Sequence, residues 1–259
     1  MPTISTFFRI VITMNWRDHE PPHFDARLRR ALDQPYRPLK MIRLPFPEHY
    51  LITPEPATYP SANFLTDLSL TLSSGVRLVQ LRSKLLTAPA FARLADQVVA
   101  LCHQANARVI LNGPMQAWHR IAEQSRPISS EAIPSIQAEI DWIGADGVHL
   151  SSDRLMRCVQ RPLRPDQWVS AACHTLLELQ QAAALQLDFV TLSPVLLTAT
   201  HTDAEPLGWH RFASMARAVN ISVFALGGMS VTDVTIAQVN GAHGIAAIRS
   251  LWRCTMPEA

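Results

Sequence analysis

Three apolar runs in the C-terminal part of the chain recur at the interval of one helix and its loops, and each ends in small or hydroxyl-bearing residues. Asp188 to Val195 opens into Leu196-Leu197-Thr198-Ala199-Thr200-His201-Thr202, Ser222 to Leu226 ends in Gly227-Gly228-Met229, and Gly244 to Ile248 follows. Short apolar runs bounded by turn residues and separated by helical patterns read as buried strands of a parallel sheet. In an α/β barrel the strand C-termini converge on one mouth, so the residues after each run form the candidate site.

The alternation extends upstream to Glu48. Strands are predicted at His49 to Pro54, Val76 to Arg82, Arg108 to Asn112, Asp146 to Leu150, Trp168 to His174, Phe189 to Val195, Val223 to Leu226 and Gly244 to Ile248. Helices are predicted at Phe64 to Ser74, Pro89 to Asn106, Met115 to Gln124, Asp153 to Val159, Thr175 to Leu187, Trp209 to Val219 and Val231 to Val239. Ser125 to Trp142 reads as an irregular insertion. This pattern, over about 207 residues, fits a barrel whose usual span is roughly 200 to 250. A doubly wound open sheet competes, but no G-x-G-x-x-G follows the first strand and the strand number is high for it. The fold class is therefore α/β, a (βα)8 TIM barrel over 47–253, with a short N-terminal extension at 1–46 and a tail at 254–259.

With 259 residues, 48% of them apolar, the chain has ample core-forming material. A net charge of +2 from 23 basic and 21 acidic residues gives no broad basic surface, so no nucleic-acid partner is expected, while a local phosphate site remains compatible. Cys102, Cys158, Cys173 and Cys254 form no C-x-x-C pair, which suits a reducing cytoplasm. The apolar run Phe7 to Met14 is interrupted by Arg9 and lacks the flanks of a signal peptide, and no other stretch approaches a membrane span. In the extension, His19, Glu20, His23 and Asp25 suggest a metal site only on paper: Pro21-Pro22 prevents helical spacing, and a solvated segment is the better reading.

Strand two ends in Gln80-Leu81-Arg82-Ser83-Lys84, where alternation sends Gln80, Arg82 and Lys84 to one side. An amide and two cations suit a phosphorylated ligand, the structural alternative being a solvated strand end. Strand three ends in Asn112-Gly113, strand four carries His149 with Asp153 just beyond, and strand five ends in Cys173-His174-Thr175. Imidazoles titrate near neutrality, so His174 is a candidate proton carrier, and His149 reads as a packed or orienting residue. Gly227-Gly228 and Ala247-Ile248, the latter leading toward a short terminal helix, lie where barrels often bind phosphate through backbone N–H groups.

These residues together resemble a known group. Val79-Gln80-Leu81-Arg82-Ser83-Lys84, Ala145-Asp146-Gly147-Val148-His149-Leu150, Cys173-His174-Thr175, Ser193-Pro194-Val195 with Thr198-Ala199-Thr200-His201, Leu226-Gly227-Gly228-Met229 and Gly241-Ala242-His243-Gly244-Ile245-Ala246 are similar to the thiamine phosphate synthase and TenI superfamily. Leu207-Gly208-Trp209 and Ala246-Ala247-Ile248-Arg249-Ser250-Leu251-Trp252 look most like the barrel fused behind Nudix hydrolases in proteobacteria, although no Nudix box is present. A separate Nudix enzyme is thus an expected possible partner, as is a second copy of the chain. The first 27 or so residues resemble instead a small bacterial family rich in D-H-x-P-P-H-F.

The resemblance implies two chemistries. Synthases join an aminopyrimidine pyrophosphate to a thiazole phosphate with Mg²⁺, which an aspartate after the third-strand Asn and another after the fourth strand hold. Here Gly113 stands in the first place, and Asp153 is the remaining metal candidate. His201 replaces a lysine that helps bind pyrophosphate, and Ala172 replaces a serine. TenI-like proteins aromatise a carboxythiazole phosphate by moving a proton, with no cofactor, and His174 matches their fifth-strand histidine. The departures favour a TenI-like tautomerase acting on a thiazole phosphate. The alternatives are a synthase supported by Gln80, Arg82, Lys84, Asn112, Asp153, Thr198 and Thr200, and a non-catalytic protein that binds a thiamin precursor.

Overall fold

In the computed structural model of the chain, residues 46–58, 61–117, 128, 133–198 and 205–254 are described. The predicted extension, except Phe46, lies outside them, as do Thr200, His201 and most of the helix predicted at Met115 to Gln124.

The order of elements is β1 His49–Ile52, α1 Ser61–Ser73, β2 Leu78–Arg82, α2 Ala88–Gln104, β3 Arg108–Asn112, α3 Ile133–Ile143, β4 Gly147–Leu150 and α4 Ser152–Arg157, then β5 Trp168–Cys173, α5 Leu176–Ala184, β6 Phe189–Leu192, α6 Gly208–Arg217, β7 Ser222–Leu226, α7 Val234–Val239 and β8 Gly244–Ala247. The strands pair in parallel in sequence order and close, β1 lying between β2 and β8. The barrel expected from the spacing of the apolar runs is the one observed.

Alternation along each strand divides the core in two. Outward residues such as Leu51, Val79, Leu81, Val109 and Leu111 pack on the helices. Inward residues Tyr50, Ile52, Leu78, Ile110, Phe189, Phe224 and Ala246 pack on one another inside the barrel. Phe189 meets Tyr50 at 5.3 Å and Phe224 at 5.4 Å between ring centroids, both edge-on. Such pairs add about 0.5–1.5 kcal/mol each beyond area burial. The barrel is therefore plugged below, and any cavity must open above this aromatic floor.

The N-terminal ends of the strands are tied by carboxylates. Asp146 accepts the Val109 N–H at 2.8 Å and Arg108 Nη1 at 2.5 Å, with His103 Nε2 3.0 Å away. Asp188 repeats the arrangement two strands on, accepting the Val169 N–H at 2.7 Å and Arg161 Nη2 at 2.6 Å. Each carboxylate thereby stands in for a missing ladder acceptor where the strands begin.

Two expectations need correction. Ser125 to Trp142 is not irregular throughout: it contains most of α3, whose Ile136, Ile140 and Ile143 are buried at helical spacing. Pro134 does not break this helix because it lies in the first turn, where its missing N–H costs nothing. After β8 the chain makes a single turn, with the Trp252 N–H donated to Ile248 O at 3.1 Å, in place of the predicted terminal helix. The thiols of Cys102, Cys158 and Cys173 are free and buried, and burial raises all three, so they act as small apolar groups. No helix among the described residues is long and apolar enough to cross a membrane.

Candidate active site

A cavity of about 1100 Å³ opens above the aromatic floor at the C-terminal ends of the strands. Most of the predicted residues line it: Gln80, Arg82 and Lys84 from the end of β2, Asn112 from β3, His149 from β4, Asp153 from α4 and His174 from the end of β5. Thr198, Gly227, Gly228, Ala247 and Ile248 border the other side.

A chain of neutral polar groups spans the barrel just above the floor. Asn112 Nδ2 donates to Gln80 Oε1 at 2.9 Å, and Gln80 Nε2 donates to the Tyr50 hydroxyl at 2.5 Å. The Tyr50 hydroxyl lies 3.4 Å from His149 Nδ1, which lies 2.7 Å from Ser170 Oγ. Burial is the main reason that the His149 imidazole is pushed down to about 3, with the Arg82 and Arg154 charges adding to it, so it is neutral at pH 7. Burial pushes the Tyr50 phenol up. Asn112, Gln80 and His149 are thus held in one hydrogen-bonded network.

The loop after β2 is shaped by Glu55. Ser83 Oγ donates to Glu55 Oε1 at 2.6 Å and the Lys84 N–H to Oε2 at 2.7 Å. Burial alone would raise this carboxyl, but those bonds keep it below the usual range. Arg82 beside it is partly buried, and desolvation lowers its guanidinium despite the attraction of Glu55. A cation held in that state gains from an anion entering the cavity.

His174 is fixed from two directions. Its backbone N–H donates to Glu178 Oε2 at 2.5 Å, and Thr175 and Glu178 form a capping box that starts α5 at the end of β5. Its Nδ1 lies 2.9 Å from Ser193 O. A carbonyl only accepts, so Nδ1 carries the proton and Nε2 carries the lone pair of the neutral ring. Ala172, where the resemblance implies a serine, lines the cavity below.

Gly227 and Gly228 have φ of +100° and +70°. A Cβ on Gly227 would sit 2.8 Å from Pro194 Cα and one on Gly228 2.7 Å from Leu197 O. Glycine is therefore required there by the backbone turn and by close approach of the β6 loop, whether or not an anion binds. The same contact is held by the Val195 N–H on Leu226 O at 2.9 Å and the Leu196 N–H on Gly227 O at 3.1 Å.

Sequence reasoning overlooked Arg154 and Arg157, which line the cavity from α4, along with Arg249 after β8. It offered Asp153 instead, yet that carboxylate is 76% exposed and pairs with Arg157 at 3.6 Å. Gly113 offers no second carboxylate: its Cβ position lies 2.3 Å from the Phe91 ring, so any side chain there displaces Phe91. Among the described residues no group of three His, Cys, Asp or Glu is placed to hold a metal. Mg²⁺ is usually held by one or two carboxylates together with substrate phosphates and waters, and the described residues lining this cavity supply one carboxylate, Asp153, already paired with Arg157. Tyr50 and Ser170 were also overlooked, because their place in the polar network depends on strand register: His149 lies beside Ser170.

A family model described as thiamine monophosphate synthase matches residues 49–251. A protein named putative thiamine-phosphate synthase 2, from Aquifex aeolicus, is 33% identical over 186 residues, 72% of this chain and 88% of that one. A putative thiamine-phosphate synthase from Geobacter sulfurreducens is 31% identical over 182 residues, covering 70% of this chain and 75% of its own. The structure of a thiamine phosphate pyrophosphorylase from Pyrococcus furiosus superposes with a TM-score of 0.55 at 19% identity, over 78% of this chain and 85% of that one, which shows the same fold. The chain belongs to the thiamine monophosphate synthase family, within the thiamine phosphate synthase and TenI superfamily.

Proposed function

We propose that the chain is a transferase of thiamine biosynthesis that joins an aminopyrimidine pyrophosphate to a thiazole phosphate. The observation that carries this reading is the two-ended cavity. One wall carries Arg82, Lys84, Arg154 and Arg157, and the opposite wall offers the backbone of Gly227, Gly228, Ala247 and Ile248 with Arg249 beside it. A tautomerase needs to hold one phosphate, whereas coupling brings two anionic substrates together, and about 1100 Å³ suits two small molecules. The names of the relatives favour coupling over the tautomerase expected from the departures at Gly113, Ala172 and His201.

In the coupling step the bond between the pyrimidine methylene carbon and the pyrophosphate oxygen breaks, and pyrophosphate leaves with the electron pair. The thiazole ring nitrogen donates its lone pair to that carbon, forming the new C–N bond. Arg82 and Lys84 stabilise the charge that grows on the leaving oxygen. Gln80 and Asn112 orient the pyrimidine through their shared hydrogen bond. Neutral His149 adds no competing charge beside the developing cation.

A tautomerase is the second reading, favoured by one observation: His174, with Nδ1 held by Ser193 O, presents Nε2 as a base in the cavity wall. Product analysis by mass spectrometry separates the two. Incubation with both substrates should give thiamin phosphate and pyrophosphate. Incubation with the non-aromatic carboxythiazole phosphate giving only its aromatic isomer, lost by about 10²-fold or more in His174→Ala, would establish the second reading instead. Ligand retained with no product in either assay would leave a binding protein.

A further inference from the structure

The cationic wall and the metal expected of this family do not agree. Arg82 leaves the end of β2, and Arg154 leaves the first turn of α4, which follows β4. Both line the cavity that His149 also lines, Arg82 from the β2 side and Arg154 from the β4 side. Arg157 is three residues beyond Arg154, a neighbour on one helix face. Its ion pair with Asp153 turns the single carboxylate of this wall toward a protein cation. Two further carboxylates nearby are also engaged, Glu55 by Ser83 and the Lys84 N–H and Glu178 by Ser152 and the His174 N–H.

We propose that this wall grips the diphosphate of the pyrimidine substrate directly, through Arg82, Lys84, Arg154 and Arg157, without a divalent cation. In naming a diphosphate the proposal rests on the coupling reading above. Guanidinium groups suit the task because each presents paired N–H donors to two oxygens of one phosphate. Arg154 is also poised for it: desolvation is the main reason that its guanidinium is pulled down to about 10, and an incoming anion relieves that cost. The phosphate end of the partner substrate remains with the glycine wall, which has no need of a metal.

Calorimetric titration of the full chain with inorganic pyrophosphate tests this, in EDTA and in excess Mg²⁺. The affinity in EDTA should lie within about threefold of that in Mg²⁺. Arg154→Gln should weaken it by about tenfold or more, and Arg154→Lys by less, because a charged hydrogen bond is worth roughly 1.5–3 kcal/mol, which is about 10- to 150-fold. Asp153→Asn, on an exposed side chain that leaves folding intact, decides the matter by sign. Affinity in that variant should be equal or higher, since a carboxylate competing for Arg157 is gone. Binding that requires Mg²⁺ and is lost in Asp153→Asn would overturn the proposal, and so would no binding under either condition. Coupling that proceeds only with Mg²⁺ would remove this inference and keep the transferase reading. Pyrophosphate held in EDTA without any thiamin phosphate formed would do the reverse.

Discussion

The two ends of the barrel treat charge in opposite ways. At the N-terminal rim, Asp146 and Asp188 each hold a guanidinium and a backbone N–H of the preceding strand, so the charges are matched within the protein itself. At the C-terminal mouth, Arg82, Lys84, Arg154, Arg157 and Arg249 line the cavity with one carboxylate among the described residues, Asp153. Matched charges hold strands together, and a one-signed excess at a cavity favours an anion. In barrels of this type conserved groups at the N-terminal face serve stability and those at the C-terminal face serve the site.

Breaking the rim should have the largest effect. Asp188→Ala strands the mostly buried Arg161 and leaves the Val169 N–H without its acceptor. A loss of about 3–5 kcal/mol is expected in urea unfolding, with turnover per folded molecule unchanged. A loss below about 1 kcal/mol would mean that the rim pair is not structural.

Acid gives the next effect, and it links the ends. The folded His149 sits at about 3 against 6.5 for an ordinary imidazole, so between those values the unfolded chain binds the extra proton. Stability from this group is complete above about 6.5 and falls as pH drops toward 3, at up to about 1.4 kcal/mol per pH unit. His149→Gln should flatten the slope in that window, measured by unfolding at a series of pH values. An unchanged slope would place the acid sensitivity elsewhere.

At the mouth, Arg82→Ala should lower kcat/KM by about 10- to 100-fold, because a charged contact of roughly 1.5–3 kcal/mol is removed, while folding stability moves by less than about 1 kcal/mol. Equal losses in both quantities would erase the contrast between the ends. The smallest effect is expected back at the rim, where His103→Ala removes a contact with Asp146 from a histidine that is 45% exposed. Exposed pairs contribute about 0.2–1 kcal/mol, and raising the salt concentration should mask the difference.

The barrel was legible in the sequence because each strand is an apolar run whose polar or small end marks the mouth. Helix α3 was not, its residues being read as part of an irregular insertion, although the spacing of Ile136, Ile140 and Ile143 carried the helical signal. Gln80, Arg82, Asn112 and His174 were legible because alternation and strand ends are local properties. Arg154 and Arg157 were not, since choosing among Asp153, Arg154 and Arg157 requires the rotation of a six-residue helix over the cavity. The Tyr50 to Ser170 network depends on cross-strand register, which no single segment encodes. Gly227-Gly228 suggested an anion loop, and the structure adds a packing reason for the same glycines at Pro194 and Leu197.

Whether the mouth holds two anions at once is decided by titrating thiazole phosphate into the full chain, first alone and then with saturating inorganic pyrophosphate. If the cationic and glycine walls are separate ends of one cavity, the affinity for thiazole phosphate is expected to be unchanged or increased by pyrophosphate. Competition, with the apparent Kd rising in proportion to pyrophosphate, would mean a single anion site and would contradict the two-ended cavity on which the transferase reading stands.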